Sequence, residues 1–182
     1  TLAAPGSNAS ATIVSTQFES THARKAFPCF DEPGFKPRWG LEVLAPPELV
    51  VLSNMPAEAV HHHSSSLATW HFRTTPPMAS YLVALVVGDL VGVSRRVQMP
   101  LLGAGGGDGS SSESELPGQT REVNVTVWGL PLRRDQLDVA ADAAAAALPY
   151  YEAALQTKYP LPKLDLVAVP DFSAGAMENW GL

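Results

Sequence analysis

The chain has 182 residues, of which 46% are hydrophobic, which is enough apolar material for one large domain or two smaller ones. Its formal net charge of −6 argues against nucleic acid or an anionic membrane surface as a partner. No apolar run approaches the roughly 20 residues of a membrane-spanning helix, and a single cysteine excludes an internal disulfide. The first residues lack the pattern of a secretory signal and do not begin with Met, which suggests a fragment.

Short apolar stretches separated by Pro and Gly turns fill the first hundred residues. The strands predicted here are residues 12–18, two runs on either side of Pro46-Pro47 between 39 and 52, 67–73, 81–87 and 91–99. Residues 81–87 are apolar on both faces, which predicts a central strand, whereas 91–99 carries two arginines and should be more exposed. This succession predicts an antiparallel sandwich or saddle.

The composition changes after residue 100. Residues 102–118 are rich in Gly and Ser and predict a mobile loop, after which we place a domain boundary near Thr120. Residues 121–128 alternate as a strand does, residues 135–156 have helical periodicity, and residues 164–169 form an apolar run typical of a buried strand. The second part of the chain, residues 121–182, therefore predicts strand, helix and strand in that order.

The predicted helix has one apolar stripe, which we expect to pack against a sheet. Its members recur at steps of four and three and are Leu137, Ala141, Ala144, Leu148, Tyr151 and Leu155. Pro149 lacks an N–H group and is expected to kink or split the helix.

Two clusters of residues resemble metal sites, but their sequence context favours a solvated loop for one and ion pairs for the other. His61, His62 and His63 are adjacent, so their side chains diverge, and the serines that follow favour a solvated loop. Arg24, Asp31 and Glu32 surround an apolar stretch without a nearby histidine ligand, which favours structural ion pairs over a metal site.

A single carboxylate, that of Glu178, stands among small and apolar residues in the last eight positions. Gly175 and Ala176 have almost no side chain, so another backbone could come close there. An extended segment with a free edge can pair with a peptide, and a carboxylate at its end could hold the peptide's α-ammonium group. An ordinary strand with an exposed glutamate fits the same residues.

Three blocks of sequence resemble the zinc aminopeptidases typified by aminopeptidase N and the puromycin-sensitive enzyme. They are Gly-Ala-Met-Glu-Asn at 175–179, Thr-Gln-Phe-Glu at 16–19 with Ala-Phe-Pro-Cys-Phe-Asp-Glu-Pro at 26–33, and Tyr-Pro-Leu-Pro-Lys at 159–163 with Pro-Asp-Phe at 170–172. They cover the chain from Thr16 onward in the family's order. The resemblance implies an incomplete amino-terminal β domain over residues 1–120 and the start of a thermolysin-like catalytic domain over residues 121–182.

The same resemblance implies that the chain is part of a metallo-aminopeptidase whose substrate is a peptide with a free amino terminus. Glu178 and Glu19 are then expected to hold the substrate amine together, although Glu19 could instead pair with Arg24 or Lys25. The remaining substrate-binding residues that the motifs imply are Gln17, Gly175, Ala176, Met177 and Asn179. Several relatives have a cis peptide bond after the acidic residue, which places one at Glu19–Ser20.

The zinc ligands of such an enzyme follow the pattern H-E-x-x-H, which the chain lacks. Its histidines are His22, His61, His62, His63 and His71, and none fits. The resemblance therefore implies zinc in the full-length protein, none bound by this segment, and no activity of the segment alone. Residues 86–89 and 161–166 favour the cytosolic puromycin-sensitive type. The alternative function is a non-catalytic β module that binds peptide termini or a protein partner.

Overall fold

The computed structural model describes residues 2–3, 10–100 and 120–182, so the predicted loop at 102–118 lies outside the described residues. In chain order its strands and helix are β1 (Leu2–Ala3), β2 (Ser10–Ala11), β3 (Ile13–Ser15), β4 (Glu42–Ala45), β5 (Val50–Ser53), β6 (Ala57–Ser64), β7 (Leu67–Phe72), β8 (Leu85–Gly88), β9 (Val91–Pro100), β10 (Thr120–Gly129), α1 (Leu137–Leu155) and β11 (Lys163–Val167). Among these residues, no helix has the length and hydropathy that crossing a bilayer would require.

Antiparallel sheets form the first half of the described chain. One has the strand order β3-β8-β5 and another the order β4-β7-β6, while β1 and β2 form a separate pair. Strand β8 lies between two neighbours, as the apolar run on both of its faces predicts. On β7, Ala68, Trp70 and Phe72 are buried, which confirms the predicted alternation. The fold class, mostly antiparallel strands with one helix, is confirmed.

The second half is the predicted strand, helix and strand. Strand β10 pairs in parallel with β11 and antiparallel with β9, and α1 connects the two parallel strands. Helix α1 covers β9 and β10, where Val123, Val125 and Val127 are buried as expected. Strand β9 ends before residue 120 and pairs along its whole length with β10, which begins at that residue. The domain boundary near Thr120 stays a prediction.

Three strand predictions need correction. The strand predicted over 12–18 ends at Ser15, because the N–H of Leu85 donates to the side-chain hydroxyl of Thr16 at 2.9 Å and not to its backbone carbonyl. The run predicted over 81–87 begins as a 3-10 turn at Ser80–Leu82 and becomes a strand only at Leu85. The three adjacent histidines, predicted in a loop, lie in β6, where their side chains are exposed and pairing with β7 orders the backbone.

The helical stripe is also shorter than predicted. Leu137, Ala141 and Leu148 are buried, whereas Tyr151 is 58% and Leu155 68% exposed, so the packed face ends after Leu148. Glu152 is buried in their place and forms an ion pair with Arg121 of β10, which replaces apolar packing at this end of the helix. The helix runs through Pro149 without being split.

The buried carboxylate of Asp31 joins the block at 24–31 to the 3-10 turn at Ser80. Its Oδ1 accepts a hydrogen bond from the Ser80 hydroxyl at 2.6 Å, and its Oδ2 accepts from the N–H and Nε of Arg24 at 3.1 and 3.2 Å. The Ser80 hydrogen bond and those of Arg24 lower the pKa of Asp31 against the effect of burial. The predicted Arg24–Asp31 pair is confirmed. Within the described residues Glu32 has no ion-pair partner.

Candidate functional site

Three segments that are far apart in sequence meet at one place. They are residues 16–19 after β3, residues 81–84 before β8, and the motif segment, which we define as residues 175–182. The side-chain Nε2 of Gln17 lies 3.2 Å from the Sδ of Met177, across 160 positions of sequence. The backbone N–H of Glu19 donates to Oε1 of the same Gln17 at 3.3 Å. One glutamine therefore joins the first motif to the last.

Tyr81 contacts one of the two predicted carboxylates. Its hydroxyl donates a hydrogen bond to Oε1 of Glu178 at 3.4 Å. Burial raises the pKa of Tyr81, and the charge and hydrogen bond of Glu178, followed by the charge of Glu19, raise it further. The Tyr81 hydroxyl therefore contacts Glu178 directly, and the backbone of Glu19 is joined to the motif segment through Gln17.

Neither carboxylate is neutralised by a basic side chain of the described chain. Both Glu19 and Glu178 are exposed, and neither forms an ion pair with a Lys, Arg or His of the described ranges. The alternative partner Arg24 is occupied by Asp31. Over the described ranges, both carboxylates are therefore without a basic side-chain partner.

A cleft of about 270 Å³ lies beside this cluster, between the sheet of β3 and β8 and the segment that follows β11. Its walls are largely apolar and come from Ser15, Thr16, Ala84, Val86, Leu166 to Val169, Phe172, Gly175 to Met177, Asn179 and Leu182. Four predicted residues, Gly175, Ala176, Met177 and Asn179, line the cleft, whereas Gln17, Glu19 and Glu178 lie outside its lining. The Oδ1 of Asn179 is buried and accepts no hydrogen bond from the described residues.

The motif segment is not the edge strand that the sequence predicts. The chain turns at residues 173–175, and residues 176–179 are irregular and belong to no sheet. Gly175 has φ +76°, a left-handed conformation that ends any extended run and that favours glycine. The peptide bond between Glu19 and Ser20 is cis, which confirms the expectation drawn from the resemblance.

The end of the motif segment is held by strand β11. The carbonyl of Gly181 accepts hydrogen bonds from the N–H of Asp165 at 3.0 Å and from Nζ of Lys163 at 2.7 Å. Lys163 and Asp165 form a buried ion pair at 2.6 Å, and the indole of Trp128 donates to Asp165 at 3.0 Å. Burial lowers the pKa of Lys163, while Asp165 opposes that shift. The strand that precedes the motif segment thus fixes its backbone.

Metal ligands do not occur together in this part of the chain. Over residues 10–100 and 120–182, no group of three or more His, Cys, Asp or Glu side chains could hold a metal ion. The donors present therefore do not fit a zinc site, and the site described above is one of carboxylates, a phenol and an amide.

Sequence reasoning missed Tyr81 and Lys163 as site residues. Tyr81 was assigned only to an apolar strand, although a tyrosine hydroxyl at the edge of an apolar run normally finds a hydrogen-bond partner. A lysine at the start of a predicted buried strand, as Lys163 is, is a similar signal, because a buried ammonium group needs a carboxylate or carbonyl. Neither signal identifies the partner.

Two family models match this chain. The peptidase M1 N-terminal domain matches residues 4–82 and the peptidase family M1 domain matches residues 139–182, together more than half of the chain.

Curated relatives agree with these matches. Human endoplasmic reticulum aminopeptidase 1 is 40% identical over 93% of this chain, and bovine endoplasmic reticulum aminopeptidase 2 is 41% identical over 94%. Aminopeptidase M1-C of Oryza sativa subsp. japonica is 41% identical over 92%. The chain spans 16% of the length of each of these three proteins.

Proposed function

Because the chain belongs to the peptidase M1 family, we propose that it is the part of a metallo-aminopeptidase that recognises the free amino terminus of a peptide. Glu19 and Glu178, which we call the amine anchor, bind the substrate's α-ammonium group. The chain contributes binding and orientation of the substrate, and cleavage depends on the rest of the full-length protein.

The observation that supports this proposal is the contact between the two motifs, in which Gln17 binds both Met177 and the backbone of Glu19 while the Tyr81 hydroxyl donates to Glu178. Two like charges near one another repel, and an ammonium group between them relieves that repulsion. An ammonium about 4 Å from one carboxylate gains roughly 4 kcal/mol at an effective dielectric near 20, before desolvation is subtracted. An acylated terminus has no charge and gains none of this. The difference selects a chain end over an internal peptide bond.

The neighbouring residues orient the bound terminus. Gln17 holds Met177 and the backbone of Glu19 at the same time, so it fixes the two arms of the anchor relative to each other. Gly175 and Ala176 line the apolar cleft and present backbone with little side chain, which suits the close approach of the substrate's first residue. Asn179 lines the same cleft.

M1 aminopeptidases are zinc enzymes, and the metal supplies activation of water and polarisation of the scissile carbonyl when it is bound. The described residues do not offer a zinc site, and we propose that the ligands lie in another part of the full-length protein. The side chains of this segment hold the amine and orient the terminus, and they leave the reacting carbonyl to groups elsewhere.

Hydrolysis of a matched pair of substrates tests the proposed function. We expect the full-length protein to release p-nitroaniline from an aminoacyl p-nitroanilide, to leave the N-acetylated compound intact, and to lose the activity on treatment with a zinc chelator. Equal hydrolysis of both compounds would reject recognition of the amine. No hydrolysis of any unblocked substrate across a panel of amino acids would favour the non-catalytic module instead.

The compartment and the domain division stay predictions. The sequence favoured a cytosolic parent, whereas two of the relatives described above are named for the endoplasmic reticulum. We retain residue 120 as the proposed boundary between the β domain and the start of the catalytic domain.

A further inference from the structure

One buried amide side chain contacts both segments that carry the Tyr81–Glu178 hydrogen bond. Asn54 is 1% exposed and follows β5 directly. Its Nδ2 donates to the carbonyl of Leu82 at 2.8 Å and to the carbonyl of Trp180 at 2.9 Å, and its Oδ1 accepts from the N–H of Ala84 at 3.0 Å. Both N–H groups and the oxygen of the amide are therefore used, and all three partners are backbone groups.

The partners of this amide are close to the site along the chain. Leu82 follows Tyr81 directly, and Trp180 lies two residues after Glu178. The contact is also tight, because a Cβ added to Gly181 would lie 2.3 Å from the backbone oxygen of Asn54. The motif segment therefore has no room to shift towards Asn54, and the Nδ2 hydrogen bond prevents it from moving away.

We propose that Asn54 is a positioning residue for the amine anchor, an inference that rests on the proposed function above. By holding Leu82 and Trp180 with one NH₂ group, it sets the distance between the Tyr81 hydroxyl and the Glu178 carboxylate. That distance determines where the carboxylate stands relative to Glu19. Asn54 lies behind the site and acts on the substrate only through Glu178.

Binding of two inhibitors that differ only in the amine tests this role. For a leucyl substrate the pair is leucinol and 4-methylpentan-1-ol, used as inhibitors of the full-length protein. We expect Asn54→Ala to raise the Ki of leucinol about tenfold and to leave that of 4-methylpentan-1-ol within about twofold, because small displacements of an oriented group are costly. A purely structural role would change both Ki values alike or neither. The Ki reports only on folded molecules, so a low yield does not obscure the result.

Two further variants separate positioning from general loss of stability. Asn54→Asp keeps the acceptor for Ala84 but removes the donor to both carbonyls, and we expect the same selective loss of leucinol affinity. Ser53→Ala is the matched control, because the buried Ser53 hydroxyl donates only to the carbonyl of Ala84 at 2.9 Å and does not reach the motif segment. We expect it to leave both Ki values unchanged.

A double variant that combines Asn54→Ala with Glu178→Gln distinguishes failure of this inference from failure of the proposed function. In a Glu178→Gln background, Asn54→Ala should cause no further change in the Ki of leucinol. If Glu178→Gln weakens leucinol but Asn54→Ala does not, only the positioning role is overturned. If Glu178→Gln itself leaves leucinol binding unchanged, the amine anchor fails and the inference fails with it.

Discussion

Replacement of Glu178 by Gln in the full-length protein is expected to lower kcat/KM for unblocked aminoacyl substrates about 100-fold, because the ammonium loses one of its two charged partners. The substitution keeps the size of the side chain and keeps an oxygen to accept the Tyr81 hydrogen bond. The metal content should not change, because the proposal assigns Glu178 to the substrate amine and not to the metal. Steady-state kinetics together with zinc analysis of the purified variant measure both.

Glu48→Gln is a suitable control for the charge change. Glu48 is exposed in the turn between β4 and β5, and within the described residues it forms no ion pair. We expect its kinetics to equal those of the parent within about twofold. Unchanged kcat/KM in Glu178→Gln, or loss of zinc from that variant, would contradict the assignment of Glu178 to the amine.

Replacement of Gly181 by Ala is expected to detach the motif segment from strand β11. The added methyl group would lie 2.3 Å from the backbone oxygen of Asn54 and 2.9 Å from Cδ1 of Leu161. Backbone oxygen cannot rotate away as a side chain does, so the segment itself must shift. Overpacking and the φ of +76° at this position together predict a cost of about 3 kcal/mol. Hydrogen–deuterium exchange should show protection of the Asp165 amide, which donates to Gly181, falling by about 100-fold.

Gly175→Ala separates crowding from backbone conformation. Gly175 has the same φ of +76°, but an added Cβ would meet no atom within 4 Å. The substitution therefore introduces only the left-handed conformation of a non-glycine residue, at about 1 kcal/mol. Equal loss of protection in the two variants would show that close contact with Asn54 does not hold the segment.

The sequence predicts correctly those strands and helices in which hydrophobic residues recur at one regular spacing. Alternation at Val123, Val125 and Val127 identifies β10, and the spacing of Leu137, Ala141 and Leu148 identifies α1. In each case one face is buried against one neighbour, so the local pattern records the contact.

The predictions fail where a partner distant in sequence decides the structure. Glu152 takes the buried position that the stripe assigned to Tyr151 and Leu155, because Arg121 lies opposite it on β10. The strand over 12–18 ends early because the hydroxyl of Thr16 takes the hydrogen bond of the Leu85 N–H, and the exposed histidines form a strand because β7 pairs with them. Periodicity contains no information on any of these partners.

The residues of the candidate site also fall into those that the sequence predicts and those that only the structure reveals. The motifs identify Glu19 and Glu178 through resemblance, and the structure joins the segments that carry them through Gln17. Tyr81 and Asn54 were not predicted, since Tyr81 meets Glu178 across 97 positions and Asn54 meets Trp180 across 126. A buried asparagine that satisfies three backbone groups can be recognised only when those groups have been placed.

Recognition of the amino terminus depends on two carboxylates that bind one ammonium group, and the ratio of the Ki of 4-methylpentan-1-ol to that of leucinol measures that recognition directly. In the unmodified full-length protein the ratio should be large. In Glu178→Gln and in Glu19→Gln it should fall about tenfold or more, through weaker binding of leucinol alone. A ratio near one in the unmodified protein, or one that neither substitution changes, would contradict the account.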